Sequence, residues 1–224
     1  MTTNELKALV GQAALTYVVR GEIVGMGTGS TVNYFIDARA VLEGEIKGAV
    51  SRRERSSDRL RALGIPVLDA NQVTYLPVYV DGANEIDAQG CMIKGGGATL
   101  TREKIVADLA ERFVCIADTS KQVRILGLFR QPLEVIPMAA THVARKLEAL
   151  GGKPVLRAGV VTDNGGHILD VHGLSITDPV AIGEPYQSMA GSDLQRDLCS
   201  EQSEGLPSRW GAGSHNIELV KVVV

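Results

Sequence analysis

Positive charge is not in excess, cysteine is scarce, and no apolar run is long enough to cross a bilayer; each shortage removes a class of function. Lys and Arg number 23 against 26 Asp and Glu, a formal charge of −3. A general binder of the phosphodiester backbone needs surplus cations, so nucleic acid is not the expected partner. The three cysteines, Cys91, Cys115 and Cys199, are odd in number and far apart. That spacing fits neither a disulfide framework nor a paired-cysteine zinc site, and it favours a reducing compartment. A spanning helix takes about 20 apolar residues, which no run approaches, and the first five residues lack a basic stretch leading into an apolar one. The expectation is a cytoplasmic protein with no membrane partner. Aromatic residues make up only 4% of the chain, yet 45% of its 224 residues are apolar. That is enough for a core in one large domain, or in one domain with a smaller companion.

Glycine is what the sequence has in quantity. There are 25, many clustered at positions 25, 27 and 29, 95–97, 151–152 and 165–166, which points to loops where backbone amides approach something closely. Leu6, Val10, Ala13 and Tyr17 share one face at helical spacing, with Thr2 and Glu5 as a capping box. A short apolar strand at 23–26 then runs into Gly27-Thr28-Gly29-Ser30-Thr31, after which Val32, Phe35 and Ile36 resume helical spacing. Strands at 46–50, 67–68, 78–80 and 113–117 alternate with helices at 57–63 and 100–110. Short apolar strands between helices predict an α/β fold, a doubly wound, mostly parallel, Rossmann-like sheet covered on both faces.

After Pro132 the rhythm changes to a strand at 133–136, a helix at 142–150, and runs at 160–162 and 168–171 flanking Asp163-Asn164-Gly165-Gly166. Asn-Gly between such runs signals a hairpin. The expected division is therefore residues 1–130 plus about 214–224 as the Rossmann-like domain, and 131–213 as a smaller α+β domain providing oligomer contacts. Residues 183–213 lose apolar periodicity and are atypical of either, while 217–224 read as a closing strand.

Several segments can carry chemistry. The glycine turn at 25–31 follows a strand and opens a helix, where free N–H groups and the dipole form an anion site. It misses the third glycine of the dinucleotide fingerprint. Arg52 and Arg53 then keep an NADP reductase as a remote alternative, although Arg52-Arg53-Glu54-Arg55 reads more simply as a solvated loop unless it rims an anionic ligand. Asp81-Gly82-Ala83-Asn84-Glu85-Ile86-Asp87 lies at the carboxyl end of a strand, where open α/β sheets gather ligand groups; its plain alternative is a solvated Asp-Gly turn. Lys94-Gly95-Gly96-Gly97 sets an ammonium beside three bare amides, a combination suited to an oxyanion. Glu103 opens the next helix. A carboxylate base, a lysine at an oxyanion pocket and a phosphate turn together suit proton abstraction beside a sugar carbonyl. His142, His167, His172 and His215 offer no metal constellation.

In combination, Gly25-Met26-Gly27-Thr28-Gly29-Ser30-Thr31, the run from Tyr79 to Asp87, Met92-Ile93-Lys94-Gly95-Gly96-Gly97-Ala98 and Leu100-Thr101-Arg102-Glu103-Lys104 resemble the type A ribose-5-phosphate isomerase family. The runs 116–121, 135–139 and 159–165 continue the likeness in order, so that it covers residues 1 to about 182. The resemblance implies a metal-free, cofactor-free, homo-oligomeric enzyme, a dimer or tetramer, that interconverts D-ribose 5-phosphate and D-ribulose 5-phosphate in the non-oxidative pentose phosphate pathway. It implies Glu103 as the general base working through a cis-enediolate, with Lys94 and Asp81 assisting. It further implies substrate contacts at Lys7, Thr28, Gly29, Ser30, Thr31, Asp81, Gly82, Ala83, Asn84, Lys94, Gly95, Gly96, Gly97 and Lys121. The family pattern has a second Asp where this chain has Asn84, which cannot carry charge or shuttle a proton. Asn84 is therefore expected to preserve binding but slow ring opening or hydroxyl proton transfer. The atypical 183–213 segment is expected to lower stability relative to relatives with the usual tail. The rival from another class is a sugar-phosphate sensor of the same fold that binds without turnover; a coenzyme A transferase is a weaker one.

Overall fold

The computed structural model describes residues 2–39, 44–179, 181–182, 189–192 and 216–220. The chain forms two compact units, one of residues 1–83, 102–121 and 200–224, the other of residues 84–101 and 122–199.

The first unit is built on six parallel strands: β1 (Ile23–Met26), β2 (Gly48–Ser51), β3 (Val67–Leu68), β4 (Val78–Asp81), β7 (Arg112–Ile116) and β11 (Asn216–Val220). Their spatial order is β11-β7-β4-β1-β2-β3. The chain thus winds outward from β1 through β2 to β3, then returns to β4 on the other side and winds the opposite way. The reversal falls between β1 and β4, and ligands of open α/β sheets bind in the crevice beyond such a switch point. Three to four buried residues in a row on β1, β2 and β4 leave no solvent face, as a sheet covered on both sides requires.

The helices form where local signals ask for them. α1 (Thr3–Ala13) starts at the Thr2 capping box, with Thr2 N–H donating to Glu5 Oε2 at 2.6 Å and Glu5 N–H to Thr2 Oγ1 at 3.3 Å. It packs on α2 (Ser30–Arg39) at Gly11, where a Cβ would meet Phe35 N at 2.7 Å. α3 (Glu54–Ala62) follows β2, and α4 (Leu100–Asp108) leads into β7. Val10, Val24, Met26, Phe35, Ile36, Leu60, Val80 and Val114 belong to one buried cluster.

The second unit has an antiparallel sheet in the order β8 (Gln131–Val135), β10 (His167–His172), β9 (Lys153–Leu156). α5 (Ala140–Ala149) supplies Val143 and Leu147 to a core shared with Leu133, Val135, Leu169 and Val171. The same unit holds a two-stranded ladder, β5 (Glu85–Ile86) with β6 (Met92–Ile93).

The α/β class with a smaller α+β unit stands as read from the sequence. Two local expectations do not. The expected boundary near 131 falls elsewhere, because residues 84–101 and 122–130 fold with the second unit. Val123 N–H donates to Ile86 O, the Glu85 carboxylate accepts from the N–H groups of Gly127 and Phe129, and Cys91, Ile93, Leu126 and Ile176 form their own cluster. The hairpin partner of β10 is β9, not residues 160–162. Thr162 instead turns its hydroxyl to the buried Glu134, which also accepts from Thr101 Oγ1 at 2.6 Å. Cys115 is free and buried, and Cys199 lies outside the described residues. The atypical stretch 183–213 lies outside the described residues except for 189–192. Of the expected closing strand, residues 217–220 pair in parallel with β7, and 221–224 lie outside the described residues.

Candidate active site

The register of three neighbouring strands sets the first unit's candidate site. Met26 of β1 pairs with Ser51 on one side and Val80 on the other, so the next position along each strand is Arg52, Gly27 and Asp81. Gly27 continues the ladder by donating its N–H to Val80 O at 2.9 Å. It carries no side chain between its two charged neighbours, and a Cβ there would lie 1.9 Å from Asp81 Oδ1. Across the bare position, Arg52 Nη2 reaches Asp81 Oδ2 at 2.9 Å and Oδ1 at 3.1 Å. Both side chains are almost fully buried, at 2% and 1% exposure.

Asp81 is surrounded by donors. Besides Arg52 it accepts from the Tyr79 hydroxyl at 2.6 Å, Gly82 N–H at 2.8 Å and Thr28 N–H at 3.3 Å. Such a set suits an ionised carboxylate. Burial pushes the Tyr79 phenol well above its ordinary value, so it serves as a proton donor. Its ring packs at 5.3 Å on Phe113, and Gly25 makes room for it, since a Cβ at 25 would meet the ring at 2.9 Å.

Glu103 sits in the first turn of α4, and its Oε1 accepts from Nη1 of the same Arg52. One guanidinium therefore joins a carboxylate at the end of β4 to one at the start of α4. This corrects the sequence reading of Arg52 as part of a solvated loop. The charges that follow it, Arg53, Glu54 and Arg55, are exposed as that reading has them. A mixed-sign run does not reveal which member turns inward; the position immediately after a buried strand was the available signal.

The anion turn is assembled in the same unit. Gly29 takes a φ of +123°, open to glycine and costly for a side chain. Ser30 and Thr31 begin α2. Lys7 comes from α1 to donate to Ser30 Oγ at 2.9 Å, so a cation, a hydroxyl and a helix N-terminus meet at one place. Lys121 ends a short turn after β7 whose first residue follows the buried Asp118, and Lys121 N–H donates to Asp118 O at 3.0 Å. Gly82 and Ala83 follow Asp81 at the same carboxyl end of the sheet.

The remaining candidates belong to the second unit. Asn84 donates its backbone N–H to Ile93 O at 2.8 Å, and its side-chain Oδ1 accepts from Gly96 N–H at 3.0 Å. Lys94 is buried directly after β6. Gly95 adopts φ +89° and accepts at its carbonyl from Ala98 N–H, closing a tight turn that leaves Gly97 exposed. A Cβ on Gly96 would meet Asn84 Nδ2 at 2.6 Å. From the other side of the turn Arg157, itself paired with the buried Asp170, donates to Gly96 O at 3.1 Å. No sequence signal points to Arg157 as a brace for this turn, because 61 residues separate the partners.

Among the described residues no helix is long and apolar enough to cross a membrane. The family model for ribose 5-phosphate isomerase A (phosphoriboisomerase A) matches residues 49–191. The ribose-5-phosphate isomerase A of Leptothrix cholodnii is 66% identical over 183 residues, covering 81% of this chain and 83% of that protein. The crystal structure of ribose 5-phosphate isomerase A from Neisseria gonorrhoeae matches with a TM-score of 0.84 at 44% identity over 86% of each chain. The enzyme from Methanocaldococcus jannaschii matches with a TM-score of 0.81 at 33% identity, over 86% of this chain and 90% of that one. With its model spanning Asp81, Lys94 and Glu103 alike, this chain belongs to the ribose 5-phosphate isomerase A family.

Proposed function

We propose that this chain interconverts D-ribose 5-phosphate and D-ribulose 5-phosphate. The observation that carries the reading is 66% identity to a ribose-5-phosphate isomerase A across 83% of that protein's length. The relatives reported above are isomerases by name, so a sensor that binds without turnover finds no support among them.

Chemically the aldose loses the proton on C2, the electrons pass into the C1 carbonyl to give an enediolate, and the proton returns to C1 while the hydroxyl proton moves from O2 to O1. Glu103 is the proposed carboxylate that carries the carbon-bound proton. Lys94 and the N–H groups of Gly95, Gly96 and Gly97 are proposed to hold the oxygen that becomes negative, where losing one such donor costs about 3 kcal/mol. Asp81 is proposed to handle hydroxyl protons and ring opening, with Gly82, Ala83 and Asn84 beside it in sequence. Lys7, Thr28, Gly29, Ser30, Thr31 and Lys121 are proposed to bind substrate, the phosphate at the turn before α2.

The reading extends to the non-oxidative pentose phosphate pathway, a cytoplasmic location and a homo-oligomer, a dimer or tetramer. The test is to mix purified protein with ribose 5-phosphate and EDTA, without nicotinamide, and follow the ketose. Ketose formation that is lost in Glu103→Gln supports the reading. Tight binding without ketose overturns it in favour of a sensor, and abolition by EDTA contradicts a metal-free reaction. Light scattering of the purified protein reads the oligomer directly.

A further inference from the structure

Arg52 is not among the residues to which a role in the reaction has been given above, yet it is buried and paired with two carboxylates of the first unit. We infer that Arg52 is a positioning residue of the isomerisation, a clamp that holds Asp81 and Glu103 at a fixed spacing; the inference rests on the isomerase reading.

Three observations carry it. First, the guanidinium is 2% exposed, and a buried cation is retained only when its partners repay the loss of water. Here both partners are carboxylates. Second, its two terminal nitrogens are divided between them, Nη2 to Asp81 at 2.9 Å and Nη1 to Glu103. A planar fork with rigid angles fixes the separation and orientation of the two acceptors, which the flexible point charge of lysine cannot do. Third, the strand register sets Arg52 and Asp81 on either side of Gly27, whose missing side chain leaves room for the Asp81 carboxylate, since a Cβ there would lie 1.9 Å from Oδ1.

The clamp has two effects on the reaction. It ties the helix that presents Glu103 to the strand that presents Asp81, and a base must be aligned with a carbon-bound hydrogen to within a fraction of an ångström. It also sets one positive charge against both carboxylates, and a nearby opposite charge favours the ionised form. A neutral Glu103 cannot take the proton from C2.

The experiment compares the wild-type protein with Arg52→Ala and Arg52→Lys, using ribose 5-phosphate and the same sugar deuterated at C2. The clamp predicts that Arg52→Ala lowers kcat by about 100-fold with KM changed little. Arg52→Lys, which keeps the charge but not the fork, falls between. In both variants the deuterium isotope effect on kcat grows, because proton transfer becomes the slow step. A role in folding alone moves the amount of folded protein and leaves kcat per folded molecule and the isotope effect where they were, which overturns the inference. So does an Arg52→Ala variant that is faster than wild type. If Arg52→Ala does not fold, Arg52→Lys decides: kcat within about twofold of wild type, with an unchanged isotope effect, overturns the clamp. Failure of the isomerase reading is distinguishable, since it shows as an inactive wild type, whereas failure of this inference shows as an active wild type whose Arg52 variants keep pace.

Discussion

Gly27 and Asp81 are packed so closely that a single methyl group on Gly27 would fall 1.9 Å from Oδ1 and 2.6 Å from Cβ of Asp81. Asp81 cannot swing away without giving up the Tyr79, Gly82, Thr28 and Arg52 donors at once. Gly27→Ala is therefore expected to cost about 1–3 kcal/mol of stability through overpacking and roughly 100-fold in turnover through displacement of the carboxylate. Urea unfolding and the ketose assay measure the two losses separately; a variant with wild-type values in both refutes the tight packing.

Tyr79→Phe removes one of those donors and leaves the buried carboxylate under-satisfied, at a cost of about 1–3 kcal/mol. The phenol also has a pH signature. Its folded pKa lies well above the ordinary 10.0 because burial disfavours the phenolate. The unfolded chain thus releases this proton first, so the contribution to stability is complete below about pH 10 and is lost as the pH rises above it. Denaturant midpoints measured from pH 8 to 11 should fall more steeply for the wild type than for Tyr79→Phe. Parallel slopes exclude the effect.

Asn84 holds Gly96 through a bond from the glycine N–H to its side-chain oxygen. An aspartate in the same place accepts that bond equally well, so Asn84→Asp should leave KM near its starting value. It also restores a group that can carry charge and move a proton, and turnover is expected to rise. If turnover stays level, the chain loses nothing by having the amide.

Gly96→Ala probes the same contact from the other end. Its methyl would sit 2.6 Å from Asn84 Nδ2, and Arg157 holds the Gly96 carbonyl in place at 3.1 Å. With the amide side blocked and the carbonyl side fixed, the turn after Lys94 has to deform. The expected result is a loss of kcat of about 10-fold to 100-fold with a smaller change in thermal midpoint than a core substitution gives, because Gly96 is half-buried.

Much of this arrangement is legible in the sequence. Apolar strands ending in Gly-rich or Asp-Gly segments placed the turn at 27–31 and Asp81 at the carboxyl ends of β1 and β4, because local pattern dictates where a parallel strand stops. Glu103 at a helix start was equally visible. Arg52 was not, since its inward turn brings together residues that only the register of three side-by-side strands places near one another. The ladder of β5 and β6 escaped for a different reason. Each strand is two residues long, too short for any periodicity, and it is held by Glu85 bonding to amides at 127 and 129. The run at 160–162 had the composition of a strand, but Thr162 serves the Glu134 carboxylate instead.

The pairing of β11 with β7 places residues 216–220 at the rim of the parallel sheet. A ribosome delivers this strand only after making nearly everything before it. In the interval β7, four of whose five residues are buried in the finished fold, has a row of unanswered N–H and C=O groups along one side. Exposed rows of that kind recruit strands from neighbouring molecules. Nascent chains of this protein that stall or are clipped upstream of 216 therefore leave a sticky margin, and residues 216–220 act as its protective hem.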